Sequence, residues 1–180
     1  RSAHASGGVL RVNGTAGNLP SGEAYIVPYE GEKPGVYSLS EGVPPVEFDG
    51  EIVRYLITGN RAVDVLGTGP AARQERRKLR AEPAYGNLAE LGLGVLAAFG
   101  IAPIGEVLLD EKLGLHIAFG RSDHFGGQVG PANFSSPDAV VHIDRVYVSR
   151  MQPRLFVHCD LDFAGTLEPL IRKNDYVIEF

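Results

Sequence analysis

Cysteine is almost absent. Cys159 stands alone among 180 residues, so the chain holds no disulfide framework and no thiolate zinc cluster; any bound metal must be held by His, Asp and Glu. Long apolar runs are missing too, and none approaches the roughly 18 residues that a membrane span requires. An excess of positive charge is lacking: the formal net charge is -5, whereas a nucleic-acid footprint needs a basic face. The one basic cluster, Arg73, Arg76, Arg77, Lys78 and Arg80, is broken by Glu75 and followed by Glu82, which reads as the solvated face of a short helix. No signal-peptide pattern stands at the N-terminus, so a cytoplasmic location is expected. A start at Arg1, and not at Met, leaves a fragment, a processed form and a trimmed chain all open.

What is present is the composition of an ordinary globular protein, 44% hydrophobic and 22% charged, in a length that suits one well-packed domain. After a Gly- and Ser-rich start with one apolar stretch at Val9–Val12, residues 23–66 suggest strands at Ala24–Val27, Val46–Phe48, Ile52–Thr58 and Ala62–Leu66, with Asn60-Arg61 as a turn. Pro28, Pro34, Pro44 and Pro45 rule out long helices there. Strong helix formers predict a helix between Pro70 and Pro83. Short segments of period-2 character follow at 87–95, 106–109, 115–119, 139–148 and 155–163. The expectation is a β-rich α+β fold with a few short helices, as a single domain over 1–180.

Two of the five histidines sit in His-x-Asp pairs, His142-Ile143-Asp144 and His158-Cys159-Asp160. In a strand, residues i and i+2 share a face, so each pair presents imidazole and carboxylate side by side. The pairs differ in their neighbours. Phe156, His158, Asp160 and Asp162 form a mostly polar face opposite Leu155, Val157, Cys159, Leu161 and Phe163, the pattern of a half-buried strand with His158 at the surface. His142 and Asp144 instead share their face with Val140, Val146 and Val148, where a charge is costly unless paired or metal-bound. Residue types alone leave a buried His–Asp hydrogen bond and a metal site both open. Further ligands stand at comparable positions. Glu90 shares a face with Gly92 and Gly94, His116 lies opposite Leu115, Ile117 and Phe119, Asp110-Glu111 precedes that strand, and Glu23 follows Pro20-Ser21-Gly22.

Four strings carry a resemblance: GNLPSGEAYIVP (17–28), NLAELGLG (87–94), LLDEKLGLHIAFG (108–120) and VHIDRV (141–146). In order and spacing they resemble signature segments of the thermophilic metallopeptidase family, which includes aminopeptidases T, S and PepS. That family places a Rossmann-like domain ahead of a metal-bearing domain, and this chain resembles the second alone. The resemblance implies metal ligands at Glu23, Glu90, His116, His142 and Asp144, with Glu111 as a further ligand or the general base. It implies a pair of divalent ions (Zn, Co, Mn or Mg) that activate a water to remove N-terminal residues from peptides. A Tyr that the family carries after the His-x-A-x-G segment is lacking in 120–127, where His124 or Arg121 would stand in as the electrophile. The partners expected are a peptide or other small-molecule substrate and further copies of the chain, without nucleic acid or membrane. A ring-cleaving dioxygenase resembles the same family's metal-bearing half, and His116, His142 and Asp144 form the 2-His-1-carboxylate set of mononuclear non-haem Fe(II). A non-catalytic metal-binding or assembly domain is the third reading.

Overall fold

A computed structural model describes residues 1–15, 17, 19 and 21–178; Asn18 and Pro20 of the first string lie outside the described residues. The fold is α+β and rich in antiparallel sheet. Its elements are β1 (His4–Ser6), β2 (Glu23–Ile26), β3 (Pro45–Phe48), β4 (Glu51–Thr58), β5 (Arg61–Leu66), α1 (Pro70–Ala81), β6 (Leu88–Gly94), α2 (Val107–Asp110), β7 (Leu115–Gly120), β8 (His142–Val146), β9 (Cys159–Phe163), β10 (Thr166–Arg172) and β11 (Asp175–Tyr176). Three sheets result, ordered β1-β2-β6-β7-β8, β3-β4-β5 and β11-β10-β9. Among the described residues no helix is long and apolar enough to cross a membrane.

Internal contacts divide the chain into two compact units. Unit one holds Arg1–His4, Tyr25–Leu91 and Ile117–Arg145; unit two holds Ala5–Ala24, Gly92–His116 and Val146–Phe180.

In unit one, β4 alternates so that Val53, Tyr55 and Ile57 point into the core, where Val46, Ala62, Val65, Ala72, Leu79, Tyr85 and Phe119 join them. Two-residue turns connect β3 to β4 through Asp49-Gly50 and β4 to β5 through Gly59-Asn60. Asp49 and Asn60 hold positive φ of 45° and 69°, as the tight right-twisted hairpin demands of Asx and Gly. The second turn thus sits one residue earlier than Asn60-Arg61. Helix α1 starts with Pro70 at its first turn and has no side-chain cap from its own N-cap, Gly69. Glu51 of β4 supplies the cap instead, accepting hydrogen bonds from Ala71 N at 2.9 Å and Ala72 N at 3.1 Å and placing a negative charge on the positive end of the helix. Glu51→Ala is expected to lower stability by about 1 kcal/mol in denaturant melts; an unchanged midpoint would remove the cap from this account.

The basic residues of α1 are mostly solvated, as their charge order predicts, but Glu75 is 2% exposed. Its carboxylate accepts hydrogen bonds from Tyr55 Oη at 2.7 Å, Tyr85 Oη at 2.5 Å and Lys78 Nζ at 2.6 Å, and Arg145 Nη2 lies 3.7 Å away. Burial opposes the Glu75 charge, yet the bonds from Lys78, Tyr85 and Tyr55 outweigh it and hold the carboxyl below its usual range. Arg145 also donates to Tyr85 Oη at 3.2 Å and lies over the Phe48 ring, 4.8 Å from its centroid.

Unit two has a small core of Leu113, Val146 and Val148, flanked by Leu96 and Met151, and the β9-β10-β11 meander. Several expectations fail here. Segment 106–109 is not a strand: Val107–Asp110 is a helical turn, and the Asp110 carboxylate accepts the Ile104 and Gly105 N–H groups at 2.9 Å each. A short apolar run does not by itself distinguish strand from helix, and this local acceptor closes the turn. The apolar stretch Val9–Val12, which by its composition could be a strand, is not one. Of 155–163 only Cys159–Phe163 is extended, and its apolar face is left open, with Phe163 57% exposed. His158 is exposed, in keeping with its polar face.

Candidate metal centre

Glu90 stands on β6 and His142 and Asp144 on β8, with β7 between them. The flanking bonds Arg121 N to Val141 O and Tyr147 N to Leu115 O set Ala118 of β7 opposite Asp144, and that small, fully buried residue leaves the carboxylates room to meet. Strand alternation puts His142 and Asp144 on one face, as their i, i+2 spacing predicts. His142 Nε2 lies 3.1 Å from Glu90 Oε2 and 3.7 Å from Asp144 Oδ1. One ligand atom from each of the three residues lies within 4.8 Å of the others.

The imidazole is aimed by its other nitrogen. Nδ1 lies 2.7 Å from the Arg121 carbonyl, which can only accept, so Nδ1 carries the proton and Nε2 faces the carboxylates. Gly120 makes that carbonyl available. It holds φ of 107°, and a Cβ there would overlap the Val141 carbonyl. Only glycine lets β7 and β8 close so tightly that Arg121 N reaches Val141 O at 2.7 Å.

Glu90 is 3% exposed and Asp144 6%, and Asp144 Oδ1 is buried with no hydrogen-bond donor among the described residues. Burial alone would drive His142 towards its neutral form, but the Asp144 and Glu90 carboxylates beside it outweigh burial and push the imidazole up to about 10. In the metal-free protein, therefore, a proton on Nε2 balances part of the carboxylate charge. Two carboxylates, one oriented imidazole and a buried oxygen without a donor fit a divalent cation.

His124, placed on the helical turn Asp123–Phe125, meets the His142 ring edge-on at 5.0 Å. Burial, then the charges of His142 and Arg121, lower its pKa and favour the neutral imidazole. Arg121 points elsewhere: its guanidinium is engaged by Asp123.

Unit two gathers the remaining predicted residues. Glu23 at the start of β2 is 8% exposed, and its Oε2 lies 3.7 Å from Nε2 of the fully buried His116. His116 Nδ1 donates to the Gly114 carbonyl at 3.0 Å, so this imidazole is also oriented through its backbone contact. Gly92 lies against the ring, and a Cβ there would overlap the imidazole; glycine on this strand face serves the close approach that its position suggests. Glu111 is held by Lys112, whose ammonium bridges Glu111 and Glu23. Lys112 is 4% exposed and was not among the residues that motif spacing singles out. Burial works against its charge, but the bonds to Glu111 and Glu23 raise its pKa above the usual lysine value. Structure therefore brings Glu90, His142 and Asp144 together in unit one, with His124 beside them, and Glu23, His116 and Glu111 around Lys112 in unit two.

No family model and no curated protein sequence matches the chain. Among solved structures it is similar to wild-type AmpT (aminopeptidase T) from Thermus thermophilus, with a TM-score of 0.54, 23% identity, and coverage of 89% of this chain and 41% of that one. At that identity the likeness is one of fold, and this chain spans less than half the length of its structural neighbour.

Proposed function

We propose that the chain is the metal-binding part of a divalent-metal-dependent hydrolase that acts on the N-terminal end of peptides. The observation that carries the proposal is the Glu90–His142–Asp144 cluster, buried, with Nε2 turned inward by the Arg121 carbonyl and Asp144 Oδ1 lacking a donor. The fold shared with AmpT and the four motif strings support the choice of reaction. Zn, Co, Mn or Mg held by these residues supplies Lewis-acid polarisation of a carbonyl and lowers the pKa of a water. Glu90 and Asp144 provide the hard oxygen ligands and offset the cation's charge, and Arg121 keeps the imidazole in its ligating orientation. His124, neutral and next to His142, accepts or returns a proton at the edge of the site. Glu23 and His116 form a second ligand pair in unit two; there the Lys112 ammonium pairs with both Glu23 and Glu111, and a positive charge opposes proton uptake, so a general-base role for Glu111 requires that ammonium to be displaced.

Metal content of the purified protein and hydrolysis of aminoacyl-p-nitroanilides with added Zn or Co test the proposal. Stoichiometric metal and metal-dependent turnover are expected. Absence of both, or iron-dependent oxygen uptake in place of hydrolysis, overturns it.

A further inference from the structure

Next to His124 lies a cavity of about 400 Å³ that includes none of the candidate ligands. Its wall is formed by His4, Tyr25, Val27, His124 and Phe125, with Arg1 at one side. The rings form an unbroken series. His4 stacks on Tyr25 at 5.2 Å and 20°, Tyr25 meets Phe125 at 4.9 Å, and Phe125 meets His124 at 3.9 Å. His124 and Phe125 then each meet the His142 ring in a T-shaped arrangement, at 5.0 Å and 5.5 Å, with interplanar angles of 85° and 80°. All these residues belong to unit one, as do Glu90, His142 and Asp144. One wall of the cavity is therefore also the wall of the candidate metal centre.

We propose that this cavity is a substrate subsite for an aromatic ring, filled in the hydrolase reading by the side chain of an N-terminal Phe, Tyr or Trp. Three features of its chemistry select that class. The volume falls within the range of small-molecule pockets, roughly 300–1,000 Å³. Tyr25, Phe125 and the two imidazoles offer ring faces and edges for offset or edge-to-face contact, an interaction that adds to simple burial. The charge is wrong for an amine: no carboxylate lines the cavity among the described residues, and its one cation is Arg1. Arg1 is itself taken up by Glu30 and Glu32, at 2.9 Å and 2.8 Å, so it makes no demand for an anionic ligand. A neutral flat ring satisfies the lining, and the short path from Phe125 through His124 to His142 leaves the atoms attached to that ring next to the metal ligands.

The subsite rests on the hydrolase reading for its substrate but not for its test. L-phenylalaninamide, L-leucinamide and L-alaninamide are titrated by NMR into the protein in EDTA and again with Zn present. The expected result is that phenylalaninamide binds at least about tenfold more tightly than alaninamide in both states, with intermolecular NOEs from its ring to Tyr25 and Phe125. Tyr25→Ala is expected to bring phenylalaninamide affinity down to that of alaninamide, and Tyr25→Leu serves if the alanine variant does not fold. Equal binding of the three amides, or NOEs to other residues only, overturns the subsite. Tyr25-dependent binding without hydrolysis of any amide leaves the subsite standing and removes the hydrolase reading.

Discussion

His142→Ala is expected to abolish stoichiometric divalent-metal binding and, in the metal-free protein, to cost about 3–5 kcal/mol of stability. Both effects have one origin. The imidazole is a ligand when metal is bound, and when it is not, its proton lies between Glu90 and Asp144, two carboxylates that are almost wholly buried. Removal leaves two like charges in a dry setting with nothing between them, a costlier state than the loss of a surface pair. Asp144→Asn separates the two roles. It keeps shape and leaves Glu90 to pair with His142, so the metal-free fold is expected to persist while metal affinity falls by more than the roughly 10–100-fold that loss of a ligand-orienting group costs. Titration calorimetry and denaturant melts on both variants give the answer. A wild-type protein that binds no metal, together with a destabilised His142→Ala, would mean that the cluster is a structural ion pair.

The second large effect is on pH. His142 has its pKa raised from 6.5 to about 10, so between those values the metal-free folded protein holds a proton that the unfolded chain does not. The stability this proton contributes is fully present below pH 6.5 and is lost as pH rises through about 10. Metal binding runs in the opposite sense, because the ligating imidazole must be neutral and the cation displaces the proton. Affinity is therefore expected to rise about tenfold per pH unit from pH 7 to 9, with one proton released per metal bound. Calorimetry in buffers of differing ionisation enthalpy counts that proton directly. A flat affinity with no proton release would show that His142 is not a ligand.

The parts of the site that could be read from residue order are those set by strand phase. Glu90 and His116 occupy strand positions whose apolar neighbours alternate out of phase with them, His142 and Asp144 share their face with Val140, Val146 and Val148, and both local patterns carry into burial. The His142 and His158 pairs illustrate its reach: the same three-residue spacing ended in a buried cluster in one case and an exposed side chain in the other, and only flanking residues told them apart. What could not be read depends on distant partners. Lys112 follows two acidic residues and looks solvated, yet its burial is decided by Glu23, 89 positions away. Tyr25 lies in the first string without being singled out there, Phe125 lies in none, and their contact joins residues 100 apart in number. Leu161 and Phe163 show the converse limit. Alternation marked their shared face correctly, but it says nothing about what covers that face, and both are left in the open.

Glu75 ties these observations to motion. Its carboxylate joins α1 to Tyr55 on β4, to Tyr85 and to Arg145, the residue directly after Asp144. Were α1 to peel away by itself, it would strand two buried phenols with no acceptor and take the nearby carboxylate from the Arg145 guanidinium, so partial opening gains little over complete opening. Amide protons of α1 should consequently exchange with solvent at nearly the rate of those in β4 rather than at the faster rate usual for a short peripheral helix, and the strand that bears His142 and Asp144 should be protected alongside them.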